Sequence, residues 1–265
     1  MHVFKRELKA NRKVLLIWCA SAIFMIVAGM SKFSALSEGD KKINELVAGM
    51  PKAVRIFVGG GGFDLTTAIG YCGVVYGYLL LMSAIYAVIL GADVISKEER
   101  DKTTEFLMVK PMSRQTVIFE KLLAVLVNTV LYMLCNLFVT VWVLNRLNPS
   151  ENVMNRIGVL MLGMLLVQCV FLSLGSACAA AYRDAKRSGG IALTVMLAAY
   201  LISLAIEMNE RLNFLRILTP FSYFDTADIL NGGGLSAGYT ALSLALVAIF
   251  TSVTFIAYQK RDFNV

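Results

Sequence analysis

Six long runs of apolar residues divide the chain, and charged or polar residues bound each of them. An α-helix needs about 20 mainly apolar residues to cross the hydrocarbon core of a bilayer, and each run reaches or approaches that length. The pattern therefore predicts an all-α membrane protein with six transmembrane helices, which forms one domain over residues 1–265. The predicted spans are residues 14–30, 65–92, 122–145, 157–182, 188–206 and 239–258.

The first thirteen residues combine five basic side chains with the apolar residues Val3, Phe4 and Leu8. This mixture favours an amphipathic helix that lies on an anionic membrane surface ahead of the first span. A basic flank that only orients the first span is an equally good interpretation.

Residues 207–228, between the fifth and sixth runs, are too short to form another span. They contain the sequence Thr-Pro-Phe-Ser-Tyr-Phe at positions 219–224. A proline among clustered aromatic residues is typical of the membrane interface, or of backbone that enters the membrane and turns back. We therefore expect an interfacial or re-entrant pair of half-helices here.

The longest strongly charged stretch, Asp93–Lys121, lies between the second and third runs. Ser96 and Glu99 have the spacing of a capping box, which predicts that a helix begins at this point. Pro111 would end that helix, and Ser113 would cap the next one. The stretch should thus form a short polar helix at the membrane face.

Composition agrees with this picture and adds an orientation. The chain is 58% hydrophobic and 16% charged, whereas soluble domains average about 45–50% apolar and about 25% charged residues. Short loops that carry more Lys and Arg stay in the cytoplasm. The side that holds both termini and the charged stretch has 16 Lys and Arg residues, and the other side has 9. We therefore expect a multi-pass protein of the cell membrane with both termini in the cytoplasm.

Little in the sequence points to chemistry on this chain. The net charge of +7 is not accompanied by a basic patch with interleaved aromatic residues, so we reject nucleic-acid binding. His2 is the only histidine, and the five cysteines lie in apolar runs without metal-ligand spacing. No nucleotide-binding loop is present, so the chain should hold no cofactor and should not be an enzyme.

The apolar cores of the spans contain no Asp, Glu, Lys, Arg or His. Carriers that are driven by protons or ions place such residues there, so a secondary carrier is disfavoured. The polar and small residues within the spans are candidates for a translocation path or for helix packing, with interhelical hydrogen bonding favoured for the amides. These residues are Asn128, Asn136, Gln168, Gly73 and Gly77. The glycines suit either a contact within the chain or a contact between two chains.

The charged stretch resembles the loop after span two in permeases of type 2 ATP-binding-cassette (ABC) transporters. Those permeases carry acidic residues, a Thr-x-Glu-like step, an apolar pair and Pro-x-Ser-Arg ahead of a lysine. The matching residues here are Glu98, Glu99, Thr103, Thr104, Glu105, Phe106, Leu107, Pro111, Ser113, Arg114 and Lys121. The glycine of the usual Gly-Thr pair is missing, since Lys102-Thr103 or Thr103-Thr104 stands in its place.

This resemblance implies a membrane permease that pairs with a second permease chain, identical or homologous, among membrane lipids. Two separate ABC ATPase subunits would dock beneath the pair and would hold the ATP and Mg²⁺. The helix at Lys97–Leu107 would be the coupling helix, with Glu98, Glu99, Arg100 and Glu105 setting its docking. The resemblance favours an exporter whose cargo the sequence does not identify. The alternatives are a secondary carrier and a scaffold or sensor that binds a cytoplasmic partner through the same loop.

Overall fold

The computed structural model describes residues 2–37, 49, 64–100, 113–147, 153–182 and 184–260. Over these residues the chain is all-helical, and six helices are long and apolar enough to cross a membrane. The all-α fold with six candidate spans is therefore confirmed. The α-helices are α1 His2–Ser37, α2 Ala68–Arg100, α3 Arg114–Leu147, α4 Val153–Ala181, α5 Ala185–Met208, α6 Thr226–Leu230 and α7 Ala237–Gln259.

The start of α1, the end of α2, the start of α3 and the end of α7 meet at one end of the bundle, which we call the proximal end. The opposite end, which carries α6, is the distal end. Antiparallel packing of consecutive helices places both described ends of the chain at the proximal end.

The helix start predicted at Ser96 is wrong. Helix α2 continues without a break to Arg100, and Ser96 is 3% exposed. Its hydroxyl donates to the Ala92 carbonyl one turn earlier, at 2.9 Å, instead of capping a new helix. The reason is that Val94 and Ile95 are buried, so tertiary packing extends the helix through a sequence that could also have begun one.

The N-terminal amphipathic helix is helical as expected, but it is not separate from the first span. Residues 2–37 form one helix, and the described sequence has no proline and no glycine before Gly29 that would break it. Val3, Glu7 and Asn11 are buried at a spacing of four residues, and this stripe continues into the apolar part of α1. The face therefore packs against other helices of the chain.

Helices α2 and α4 form the centre of the bundle, because most of their apolar residues are buried, whereas few residues of α7 are. Two glycines allow these helices to approach closely. A Cβ on Gly91 would lie 2.1 Å from the Leu172 carbonyl oxygen, and one on Gly175 would lie 2.3 Å from that of Val88. Small residues at such crossings let helix backbones touch in membranes.

Among the glycines singled out from the sequence, Gly73 is buried and Gly77 is exposed. A Cβ on Gly77 would meet nothing within 4 Å, so this residue makes no close helix contact within the described chain. The close approach occurs at Gly91 instead.

At the distal end, α5 is followed by two 3₁₀ helices, Glu210–Leu218 and Pro220–Ser222. The Arg216 guanidinium lies over the Tyr239 ring at 5.0 Å, and its Nε donates to the Ser222 carbonyl at 2.6 Å. Burial raises the pKa of Tyr223, whose hydroxyl donates to the Ile217 carbonyl at 2.5 Å. Short helices thus occupy this segment, and their depth in a membrane stays a prediction.

Candidate functional site: the junction of four helix ends

The first two turns of α3 carry the side chains that hold the proximal end together. Ser113 caps this helix as predicted, because its hydroxyl accepts from the Thr116 amide at 3.2 Å. Arg114, Val117, Glu120 and Lys121 follow at spacings of three, three and one, which places them on one side of the helix. We call these four residues the α3 junction.

Lys121 joins α3 to the end of α2. Its side chain is fully buried, and its ammonium donates to the Val94 carbonyl at 2.8 Å and pairs with the Glu98 carboxylate. A buried ammonium without such partners would be very costly. The pair therefore fixes the two helices that flank residues 101–112.

The Glu98 carboxylate also connects to α1. Arg6 donates to Glu98 at 2.9 Å and to Glu7 at 3.2 Å, and Glu7 in turn pairs with Lys97. Positive and negative charges thus alternate from Lys121 to Lys97. Glu7 is fully buried, so this network differs from exposed ion pairs, which contribute little.

Glu120 and Val117 hold the start of α1. The Glu120 carboxylate accepts from the Phe4 amide at 3.0 Å, which satisfies a backbone donor that the first turn of a helix leaves without an intrahelical partner. A negative charge is also favourable beside the positive end of a helix dipole. Val117 packs against Val3 next to this contact.

Arg114 reaches the end of α7. Its guanidinium donates to the Gln259 carbonyl at 3.2 Å, and Gln259 is the last residue of that helix. A cation that bonds a terminal carbonyl also complements the negative end of the helix dipole. The α3 junction therefore contacts the ends of α1, α2 and α7.

The predicted docking residues differ in their burial and in whether the structure describes them. Both carboxylate oxygens of Glu98 are engaged within the chain, whereas Glu99 is partly exposed. Arg100 is exposed and pairs with Asp93 at 2.6 Å. The remaining residues lie outside the described part of the chain, and their roles stay predictions, as does most of the helix predicted at Lys97–Leu107. These residues are Thr103, Thr104, Glu105, Phe106, Leu107 and Pro111.

The contributions of Arg6, Glu7, Lys97 and Glu120 were not predicted from the sequence. One signal was available for Glu7, which is the only acidic residue among the first thirteen and lies midway between Val3 and Asn11 at helical spacing. A lone acid on the apolar side of a basic helix indicates a buried partner. The sequence does not indicate that this partner is Lys97, which is 90 residues away.

The three amides predicted within the spans are all buried. The Asn136 amide nitrogen donates to the Tyr132 carbonyl of its own helix at 2.9 Å. Nδ2 of Asn128, Oδ1 of Asn136 and both amide atoms of Gln168 have no hydrogen-bond partner among the described residues. Their assignment to a translocation path or to helix packing stays a prediction.

Six apolar helices with a charged junction at one end define a multi-pass membrane protein. A family model described as "ABC-2 family transporter protein" matches residues 1–263. The chain belongs to this family, as its resemblance to the type 2 permeases predicted. It is the membrane permease of an ABC transporter, a transmembrane component that is not itself catalytic and that partners with ABC ATPase subunits. A comparison with curated proteins finds no match.

Proposed function

We propose that this permease is part of an exporter in which residues 101–112 receive force from the ATPase and the α3 junction distributes it. The observation that carries the proposal is the buried Lys121–Glu98 pair, which fastens together the two helices at the ends of that segment. A displacement of the segment would then move α2 and α3 as one body.

The other junction contacts extend this body. Glu120 holds the start of α1, and Arg114 holds the end of α7, so both the first and the last spanning helix would follow α3. ATP binding can shift the permease only if the ATPase contacts differ between two states. Residues 101–112 supply charged and apolar side chains for such contacts, including Glu105, Phe106 and Leu107.

The charge distribution supports a cytoplasmic proximal end. Sixteen of the 25 Lys and Arg residues belong to the segments on that side. We propose a cell-membrane complex of this chain, a second permease chain and two ATPase subunits. In that complex ATP and Mg²⁺ bind to the ATPases, and this chain holds no cofactor.

The test compares docking with transmission in complexes reconstituted in nanodiscs. Glu105→Lys should weaken co-purification of the ATPase, because it reverses a charge in the docking segment. Arg114→Leu should leave co-purification intact but should abolish the change in ATP turnover that the permease causes. Arg114 is exposed, so the variant should fold, and Gln115→Leu on the neighbouring exposed position is the control.

If the Arg114→Leu permease changes the ATP turnover of the ATPase as much as the wild type does, transmission through the junction is refuted. If the wild-type permease binds the ATPase without changing its turnover, the chain acts as a scaffold. Export that needs a proton gradient and no ATPase would instead indicate a carrier.

A further inference from the structure

Three spanning helices bring polar side chains together inside the bundle. The rings of Tyr86 on α2 and Tyr132 on α3 lie 4.9 Å apart, and Trp18 on α1 lies 5.4 Å from Tyr86. Both tyrosines are buried, at 1% and 0% exposure. Asn136 lies one turn after Tyr132 on α3, and its amide interacts with the Tyr132 side chain.

Three polar atoms of this cluster have no hydrogen-bond partner among the described residues. They are the two tyrosine hydroxyls and Oδ1 of Asn136. The bond from Asn136 Nδ2 to the Tyr132 carbonyl fixes the amide and leaves Oδ1 as an acceptor. A hydroxyl both donates and accepts, and buried hydroxyls are almost always bonded.

Another buried tyrosine in the same bundle shows the usual arrangement. The Tyr76 hydroxyl, also on α2, donates to the Leu160 carbonyl at 3.1 Å, and Tyr76 is 3% exposed. Lipid chains offer no hydrogen bonds, so they cannot replace such a partner for Tyr86 and Tyr132.

We propose that Tyr86, Tyr132 and Asn136 form a water-binding site inside the membrane-spanning bundle. Water suits these groups because it can donate to Oδ1 and can both donate to and accept from the hydroxyls, and buried waters typically make about three such bonds. The groups are neutral, which disfavours a cation or an anion as the ligand. This site does not depend on the proposed coupling to an ATPase.

The α3 sequence extends the site along the helix. Asn128 and Thr140 continue the four-residue spacing of Tyr132 and Asn136, and both are buried. Asn128 Nδ2 and Thr140 Oγ1 also have no partner among the described residues. The water site is therefore the middle of a polar stripe on α3.

Hydroxyl-radical footprinting tests this proposal on the intact permease in nanodiscs. X-rays convert bound water into radicals that oxidise adjacent side chains, which mass spectrometry then locates. Tyr86 and Tyr132 should be oxidised rapidly despite their burial, at rates close to that of exposed Tyr182. Tyr76 is the matched control, since it is equally buried but bonded to protein, and it should stay unmodified.

Asn136→Leu removes one water ligand and should lower the oxidation of Tyr86 and Tyr132 toward the Tyr76 rate. The wild-type measurement alone can overturn the proposal, whatever the folding of the variant. Equal, low rates at Tyr76, Tyr86 and Tyr132 would show a dry cluster and no water site.

Discussion

At the scale of single residues, the proximal end is held together most strongly by a charged side chain that has no access to solvent. Lys121 is fully buried and satisfied by Val94 and Glu98. Replacing both members of a buried ion pair with apolar residues is often tolerated, whereas removing one of them leaves a buried charge with too few partners. If the ion pair stabilises the fold, removing one member should therefore cost more stability than replacing both.

Lys121→Met should therefore destabilise the protein by about 3–5 kcal/mol, the usual cost of breaking a buried pair. Glu98→Leu combined with Lys121→Met should recover part of that loss. The midpoint of SDS or thermal unfolding in detergent measures both changes. Lys9→Met on exposed Lys9 is the control and should have almost no effect. A single Lys121 variant as stable as this control would contradict the buried pair.

Glu120 makes a separate prediction because it bonds the backbone of α1. Glu120→Leu should speed hydrogen exchange at the Phe4 amide, which loses its acceptor. Glu120→Gln keeps an acceptor and loses the charge, so its effect should be smaller. Exchange measured by mass spectrometry should remain unchanged in Gln115→Leu. Unaltered exchange at Phe4 in Glu120→Leu would show that this carboxylate does not hold α1.

At the scale of helices, the crossing of α2 and α4 depends on two glycines. Gly91→Ala and Gly175→Ala would place a Cβ against the opposing backbone. Each should lower stability by about 1–3 kcal/mol, as overpacking does.

Each helix offers a matched control, because a Cβ on Gly77 in α2 or on Gly158 in α4 would meet nothing within 4 Å. Gly77→Ala and Gly158→Ala should be neutral or should stabilise the fold slightly, since alanine favours a helix more than glycine does. Thermal unfolding in detergent compares the four variants. Equal effects at Gly91 and Gly77 would mean that the helices do not touch at Gly91.

The helices themselves could be predicted from the sequence, but their ends could not. Each apolar run is long enough for a span, and lipid requires helical backbone there, so the six helices follow from local pattern. The ends of α1, α2 and α3 depend on partners that are distant in sequence. Ser96 and Glu99 look the same in a capping box and in a helix interior, and only burial against other helices decides between them.

Some residues of the site could be predicted from the sequence, because they belong to a local motif, and others could not. Ser113 and Arg114 stood out because they follow Pro111 in a motif that resembles a known family. The partners Arg6 and Glu98 are 92 residues apart in the sequence, so local spacing could not pair them. These charges form one network because the fold brings their helix ends together. Local sequence spacing does not predict that contact.

At the scale of the whole molecule, the permease has a charged end and an apolar flank. The α3 junction contacts three other helix ends at the proximal end, and residues 101–112 connect α2 to α3 in the sequence. Outward faces of α1, α5 and α7 expose large apolar side chains such as Phe24, Leu201 and Ile249. In a membrane these faces would contact lipid or, in the complex proposed above, the second permease chain. Under the coupling proposed above, force for transport enters at the proximal end.

Photo-crosslinking in living cells tests this claim most directly. A photoreactive amino acid replaces Phe106 in the proposed docking segment or, as the control, the exposed Phe214 of the distal 3₁₀ helix. We expect position 106 to capture an ABC ATPase subunit and position 214 to capture none. Capture from position 214, or no capture from position 106 while the ATPase is present, would contradict this claim.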